Sequence, residues 1–169
     1  MSLLTNEQLR RSYRPEQVRL LFIGESPPAS WRFFYSRNSG LYRAVRDVFA
    51  AVDASVNDEN FLQMFQSSGC YLVDLCSEPV DRMSPSHRQA TCRASEHSLA
   101  LTIARLRPQM IATMLRSIEG NVSNALARAC WSGSLLHLSY PGRWTQSRRE
   151  FVTGLLPVIE RLLRSTAPA

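Results

Sequence analysis

Hydrophobic and polar positions along this chain follow two alternating patterns. Short apolar runs bounded by turn residues mark buried strands, and stretches with apolar residues every three or four positions mark amphipathic helices. Apolar runs at 18–23, 70–75, 109–115 and 134–138 predict four strands. Residues 5–13 predict a short helix with Thr5 as its N-cap. Ser39 caps a predicted helix over about 40–53, with Leu41, Ala44, Val45, Val48, Phe49 and Val52 on one face. Asp58 is the expected cap of a further helix through Gln66, with Phe61, Leu62 and Phe65 inward. Pro79 to Pro85 reads as a loop, and a helix is predicted from about Thr91 to Leu106, where Arg107-Pro108 ends it. Asn121 to Cys130 predicts a short helix. Thr145 is the expected cap of a final helix reaching about Arg164, and residues 165–169 read as a frayed tail.

Strands separated by helices call for a parallel sheet covered on both faces. The expected fold is therefore α/β, a three-layer α/β/α sandwich with a central four-stranded parallel sheet. With 169 residues and no repeat, low-complexity segment or linker, a single domain with its core over about 18–164 is expected.

Composition narrows the chemistry. The chain is 44% hydrophobic and 20% charged, and no apolar run approaches the roughly 18 residues of a membrane span. The first residues show no basic segment leading into a long apolar stretch, so a cytoplasmic protein is expected. The formal net charge of +6 suits a polyanionic partner or simply a basic surface. All 20 basic residues are arginine. Without lysine there is no side-chain amine for a Schiff base and no Walker-type phosphate-binding lysine. Cys70, Cys76, Cys92 and Cys130 form no C-x-x-C pair, so neither metal nor cofactor is expected. Cys70 opens a strand and Cys130 ends a helix, and both read as small core residues.

The loops after strands one, two and four carry the unusual residues. The first strand stops at Gly24-Glu25-Ser26-Pro27-Pro28, followed by Trp31, Phe33, Phe34 and Tyr35. A carboxylate beside aromatic rings suits a planar ligand such as a nucleobase. Alternation along an extended segment implies that Phe33, Phe34 and Tyr35 cannot all be core. The second strand ends with Asp74 ahead of Ser77, Glu78 and Asp81, and the fourth offers His137, Ser139, Tyr140, Arg143 and Trp144. In a parallel sheet these ends share one edge and can converge on one ligand. Each residue also has a plain structural alternative: Glu25 as a helix cap or arginine partner, Asp74 in a buried ion pair, His137 as a structural strand-end residue.

Together, Leu21-Phe22-Ile23-Gly24-Glu25-Ser26-Pro27-Pro28, Phe33-Phe34-Tyr35 with Ser39-Gly40-Leu41, Tyr71-Leu72-Val73-Asp74-Leu75 and His137-Leu138-Ser139-Tyr140-Pro141 resemble, in order and spacing, the motifs of the uracil-DNA glycosylase superfamily. The resemblance covers about residues 18–160 and is nearest to the thermophile-type branch, whose iron–sulfur cysteines have no counterparts here. It implies a glycosylase that flips a damaged or deaminated base out of DNA and hydrolyses its N-glycosidic bond. It further implies that Glu25 orients or activates water and that His137 hydrogen-bonds the departing base. Gly24, Asp74 and Phe34 or Tyr35 would hold the base, with one of the two rings as a stacking platform. Ser26, Ser139, Arg143 and Trp144 would meet the DNA, with Arg143 or Trp144 as the wedge. The implied partner is DNA, double- or single-stranded, carrying a modified base, and a monomer is expected.

Asp74 stands where the family places asparagine. An ionised aspartate only accepts hydrogen bonds, so it favours a base presenting a ring N–H or an exocyclic amine and repels a carbonyl. Pro27 and Pro28 remove two backbone donors, which makes this turn a poor phosphate cradle. The absence of lysine leaves only a monofunctional water mechanism. Two other readings are a nucleic-acid or nucleotide-binding module without catalysis and a hydrolase of free nucleosides.

Overall fold

The register of three strands fixes the geometry of the sheet. In the computed structural model, which describes residues 5–142 and 144–165, strand β1 is Leu20–Gly24, β2 is Cys70–Asp74, β3 is Met110–Thr113 and β4 is Ser134–His137. They form a parallel four-stranded sheet in the order β2-β1-β3-β4. Leu20, Met110 and Ser134 start level, and Ile23, Thr113 and His137 end level. The chain passes from β1 outward to β2 on one side and from β3 outward to β4 on the other. The order therefore reverses between β1 and β3, the switch point at which open α/β sheets form their crevice. All five residues of β1 are buried, as an internal strand covered on both faces requires.

The chain divides into two compact units interleaved in sequence. One contains Gln17–Trp31 and Leu72–His137, hence β1, β3, β4 and the end of β2. It also holds α4 (Pro85–Leu106) and α5 (Glu119–Arg128), which pack against each other. Buried Glu96 of α4 ties the two helices, accepting from Asn121 Nδ2 at 2.8 Å and Asn124 Nδ2 at 3.0 Å.

The other unit contains the residues up to Glu16, Arg32–Tyr71 and the residues from Leu138 onward. Its helices are α1 (Asn6–Ser12), α2 (Gly40–Val52), α3 (Phe61–Ser67) and α6 (Thr145–Arg164), with α2 packed on α6. Thr5 caps α1 through a reciprocal box with Gln8, and Ser39 caps α2 by accepting from the Tyr42 N–H. The core is aromatic: Phe61 is fully buried, with ring centroids of Tyr42 at 5.2 Å, Phe49 at 5.3 Å and Phe65 at 5.7 Å.

Several expectations are corrected here. Phe33, Phe34 and Tyr35 are all buried. The segment is not extended throughout: a 3-10 turn at Phe34–Ser36 rotates successive side chains instead of alternating them, so three adjacent rings enter one core. Helix α4 begins at Pro85 rather than near Thr91, because Ser84 caps it and proline at the first helical position lacks only an N–H that has no partner there. Asp58 does not cap α3, whose cap position is Asn60; its carboxylate accepts from Arg46 at 2.5 Å instead. Thr145 is the first residue of α6, behind Trp144. Cys130 is exposed, not core: it lies beyond the end of α5 in the left-handed region, φ 49°, which turns the chain out of the helix. The expected frayed tail beyond Ser165 lies outside the described residues.

Candidate functional site

The switch point between β1 and β3 puts Gly24 and Glu25 beside Thr113, with His137 one strand further. At a strand spacing of about 4.8 Å, the backbones of β1 and β4 are about 10 Å apart across β3. Glu25 reaches Arg88 of α4, and His137 reaches Glu119 of α5. Because α4 and α5 pack together, both side chains leave the sheet toward the same pair of helices.

Glu25 is nearly buried, and each of its oxygens has a partner. Arg88 Nε donates to Oε1 at 2.8 Å, and a second guanidinium nitrogen pairs with Oε2. This bidentate geometry is the strongest that arginine and a carboxylate make. The Glu25 carboxylate in turn holds the Arg88 guanidinium above its ordinary range. Beneath the pair, Cys92 Sγ lies 4.0 Å from Glu25 Oε1 and 3.7 Å from Cys76 Sγ. Burial first, and then the Cys76 thiol, push the Cys92 thiol up to about 12. The turn is braced by Ser26, whose Oγ accepts from the Val80 N–H at 3.3 Å, and by Asp81, whose carboxylate accepts from the Ala29 N–H at 3.2 Å.

Arg88→Ala leaves a nearly buried carboxylate without its cation and is expected to cost about 1–3 kcal/mol of stability, whereas Glu25→Gln, which removes the charge, costs less. Urea unfolding of the two variants measures the difference. In native-state alkylation near pH 8, exposed Cys130 is expected to react first, and buried Cys76 and Cys92 only on unfolding, as read by mass spectrometry of labelled peptides.

Gly24 and Asp74 are in close approach. A Cβ on Gly24 would lie 2.6 Å from Asp74 Oδ1, so glycine is the residue that lets this carboxylate sit against the end of β1. At the end of β4, the His137 side chain is about half exposed. Its Nδ1 is 3.2 Å from Glu119 Oε1 and 3.0 Å from Thr113 Oγ1. Gly24, Glu25, Ser26, Asp74 and His137 thus stand at one sheet edge of one unit.

The remaining expected site residues belong to the other unit. Phe34 is buried, its ring edge-on to Tyr35, Tyr42 and Phe61 and tilted against Phe65. Tyr35 is buried and stacks on Tyr13 with centroids 5.6 Å apart. Ser139 donates to Glu150 at 2.7 Å, and Trp144 is exposed. Arg143 lies outside the described residues. Trp31, which follows the Glu25 turn within the sheet-bearing unit, is 78% exposed.

Arg88, Glu119 and Thr113 complete the sheet-edge cluster and were not singled out from the sequence. Arg88 falls in the first turns of α4, which are exposed and carry no apolar period. Glu119 in the first turn of α5 reads as an ordinary partner of the helix dipole. Thr113 reads as one more strand former. No group of three or more metal-ligating side chains suited to an ion occurs among the described residues, and no described helix is long and apolar enough to cross a membrane. No protein-family model matches the chain, and no curated protein is significantly similar to it.

Proposed function

We propose that this protein is a monofunctional, cofactor-independent DNA glycosylase that hydrolyses the N-glycosidic bond of a flipped, damaged or deaminated base. The observation that carries this reading is the set of Glu25, Asp74 and His137 at the carboxyl ends of three strands of one parallel sheet, on either side of the switch point. Two carboxylates and an imidazole can bind a polar ring, orient water and manage the proton of hydrolysis. The ordered motifs resembling the uracil-DNA glycosylase superfamily, and a net charge of +6 carried by arginine, support DNA as the substrate. Under this reading the sheet is the centre of a three-layer glycosylase-type fold working as a monomer.

Each residue has a role on this reading. Asp74, held against Gly24, accepts from a ring N–H or exocyclic amine of the flipped base. Uracil, hypoxanthine and xanthine each present a ring N–H that could donate to Asp74. Glu25 has two oxygens tied to Arg88, but a carboxylate has about four lone-pair sites, so it still accepts from a water and orients it. His137 faces the bond that breaks.

The same bidentate pair also favours a second reading, a DNA-binding module without catalysis, because it holds the carboxylate as one fixed ion pair. Oligonucleotides carrying uracil, hypoxanthine or xanthine, incubated with the protein and cleaved with alkali, separate the two. Abasic sites at the modified position support the glycosylase. Salt-dependent binding without abasic sites supports the module, and turnover of free nucleosides with no action on DNA supports a nucleoside hydrolase.

A further inference from the structure

His137 Nδ1 faces two oxygens, one a carboxylate and one a hydroxyl. Glu119 Oε1 lies at 3.2 Å, and an ionised carboxylate has no proton to give. Thr113 Oγ1 lies at 3.0 Å and can accept a hydrogen from Nδ1 or give one to it; its hydroxyl also reaches the Leu136 carbonyl at 3.4 Å. Thr113 is buried, and in register it is the strand neighbour of His137, so its oxygen is held in place by the sheet. The Glu119 carboxylate therefore favours the hydrogen on Nδ1, where the ring's lone pair would otherwise face an anion, and Thr113 Oγ1 can accept from the same nitrogen. In the neutral ring this leaves Nε2 with the lone pair. Nε2 has no hydrogen-bond partner among the described residues, and the side chain is half exposed at the sheet edge.

We propose that Glu119 and Thr113 are positioning residues that lock His137 into the Nδ1-protonated tautomer, making it a proton acceptor rather than a donor to the departing base. This rests on the hydrolytic reading of the site and adds a direction to its proton. Nε2 takes a proton from water as the water oxygen bonds to the sugar C1′. The bond from C1′ to the base nitrogen breaks, and its electron pair leaves with the base. The imidazolium that forms is flanked by the Glu119 carboxylate, the arrangement in which a base is oriented and its charge stabilised by a third group. Glu25, already held by Arg88, positions the water and does not deprotonate it.

The tautomer can be read directly from the full-length protein by long-range ¹⁵N–¹H correlation of the His137 ring, with no substrate present. The wild type is expected to show protonated Nδ1 and bare Nε2. Glu119→Ala is expected to move the ring toward the other tautomer and to lower kcat by about 10- to 100-fold with KM within twofold. Glu119→Asp should restore part of both readouts. A role for Glu119 confined to the helix dipole would change the unfolding midpoint and leave the tautomer alone. Protonated Nε2 in the wild type overturns the proposal, as does a Glu119→Ala protein with unchanged tautomer and unchanged kcat. If the wild type releases no base from any oligonucleotide, the glycosylase reading fails while the ring spectrum still decides the tautomer.

Discussion

Replacing His137 by alanine is expected to slow base release by about 10²- to 10⁴-fold, the usual contribution of a positioned acid or base. The fall should appear in kcat and in kcat/KM alike, because on the proposed mechanism the group acts only when the glycosidic bond is breaking. The fold should survive. The side chain is half exposed, and its removal leaves buried Thr113 with the Leu136 carbonyl as a partner. Single-turnover kinetics on an abasic-site assay, alongside circular dichroism of the variant, check both parts. A variant that keeps its rate places His137 outside the chemistry, and one that unfolds gives it a structural role.

Phe61→Ala is expected to destabilise the protein by about 3–5 kcal/mol, the range for removing a buried aromatic ring. Phe61 is 0% exposed, and its ring meets those of Phe34, Tyr42, Phe49 and Phe65. Truncation loses the transfer energy of the ring and also leaves a cavity that neighbouring rings, fixed by each other, fill poorly. Phe61→Leu keeps much of the volume and should cost markedly less. Guanidinium unfolding of both variants tests the ranking. Equal losses would mean that the site collapses freely and that the aromatic core is not tightly packed.

The parallel sheet was legible in the sequence because its strands are uninterrupted apolar runs bounded by turns. The caps Thr5 and Ser39 were legible because a hydroxyl residue directly precedes an amphipathic period. What was missed has consistent physical causes. The first turns of α4 are solvated, so no apolar period marks them, and a proline there looks like a loop although it suits a helix start. With that stretch unassigned, Arg88 had no place from which to reach Glu25. The three adjacent rings at 33–35 enter one core through a 3-10 turn, which alternation cannot anticipate. Cys130 is turned outward by a left-handed backbone that its apolar character does not announce.

The candidate site was legible in part. Glu25, Asp74 and His137 were visible as polar residues at strand ends, and strand order brings them to one sheet edge. Their partners were not visible, because they come from helices whose relevant residues read as ordinary surface charges. Those partners shape the proposed chemistry: Arg88 ties down Glu25, and Glu119 and Thr113 bring oxygens to within 3.2 Å and 3.0 Å of His137 Nδ1.

Base release from modified DNA is the most direct test of the central claim. The measurement is alkali-labile strand breakage of uracil-, hypoxanthine- and xanthine-containing oligonucleotides by wild-type protein and by His137→Ala. Breakage by the wild type at one or more of these modified bases, lost in the variant, is the expected result. Intact oligonucleotides after prolonged incubation with folded wild-type protein, across all three bases and both strand forms, would contradict it.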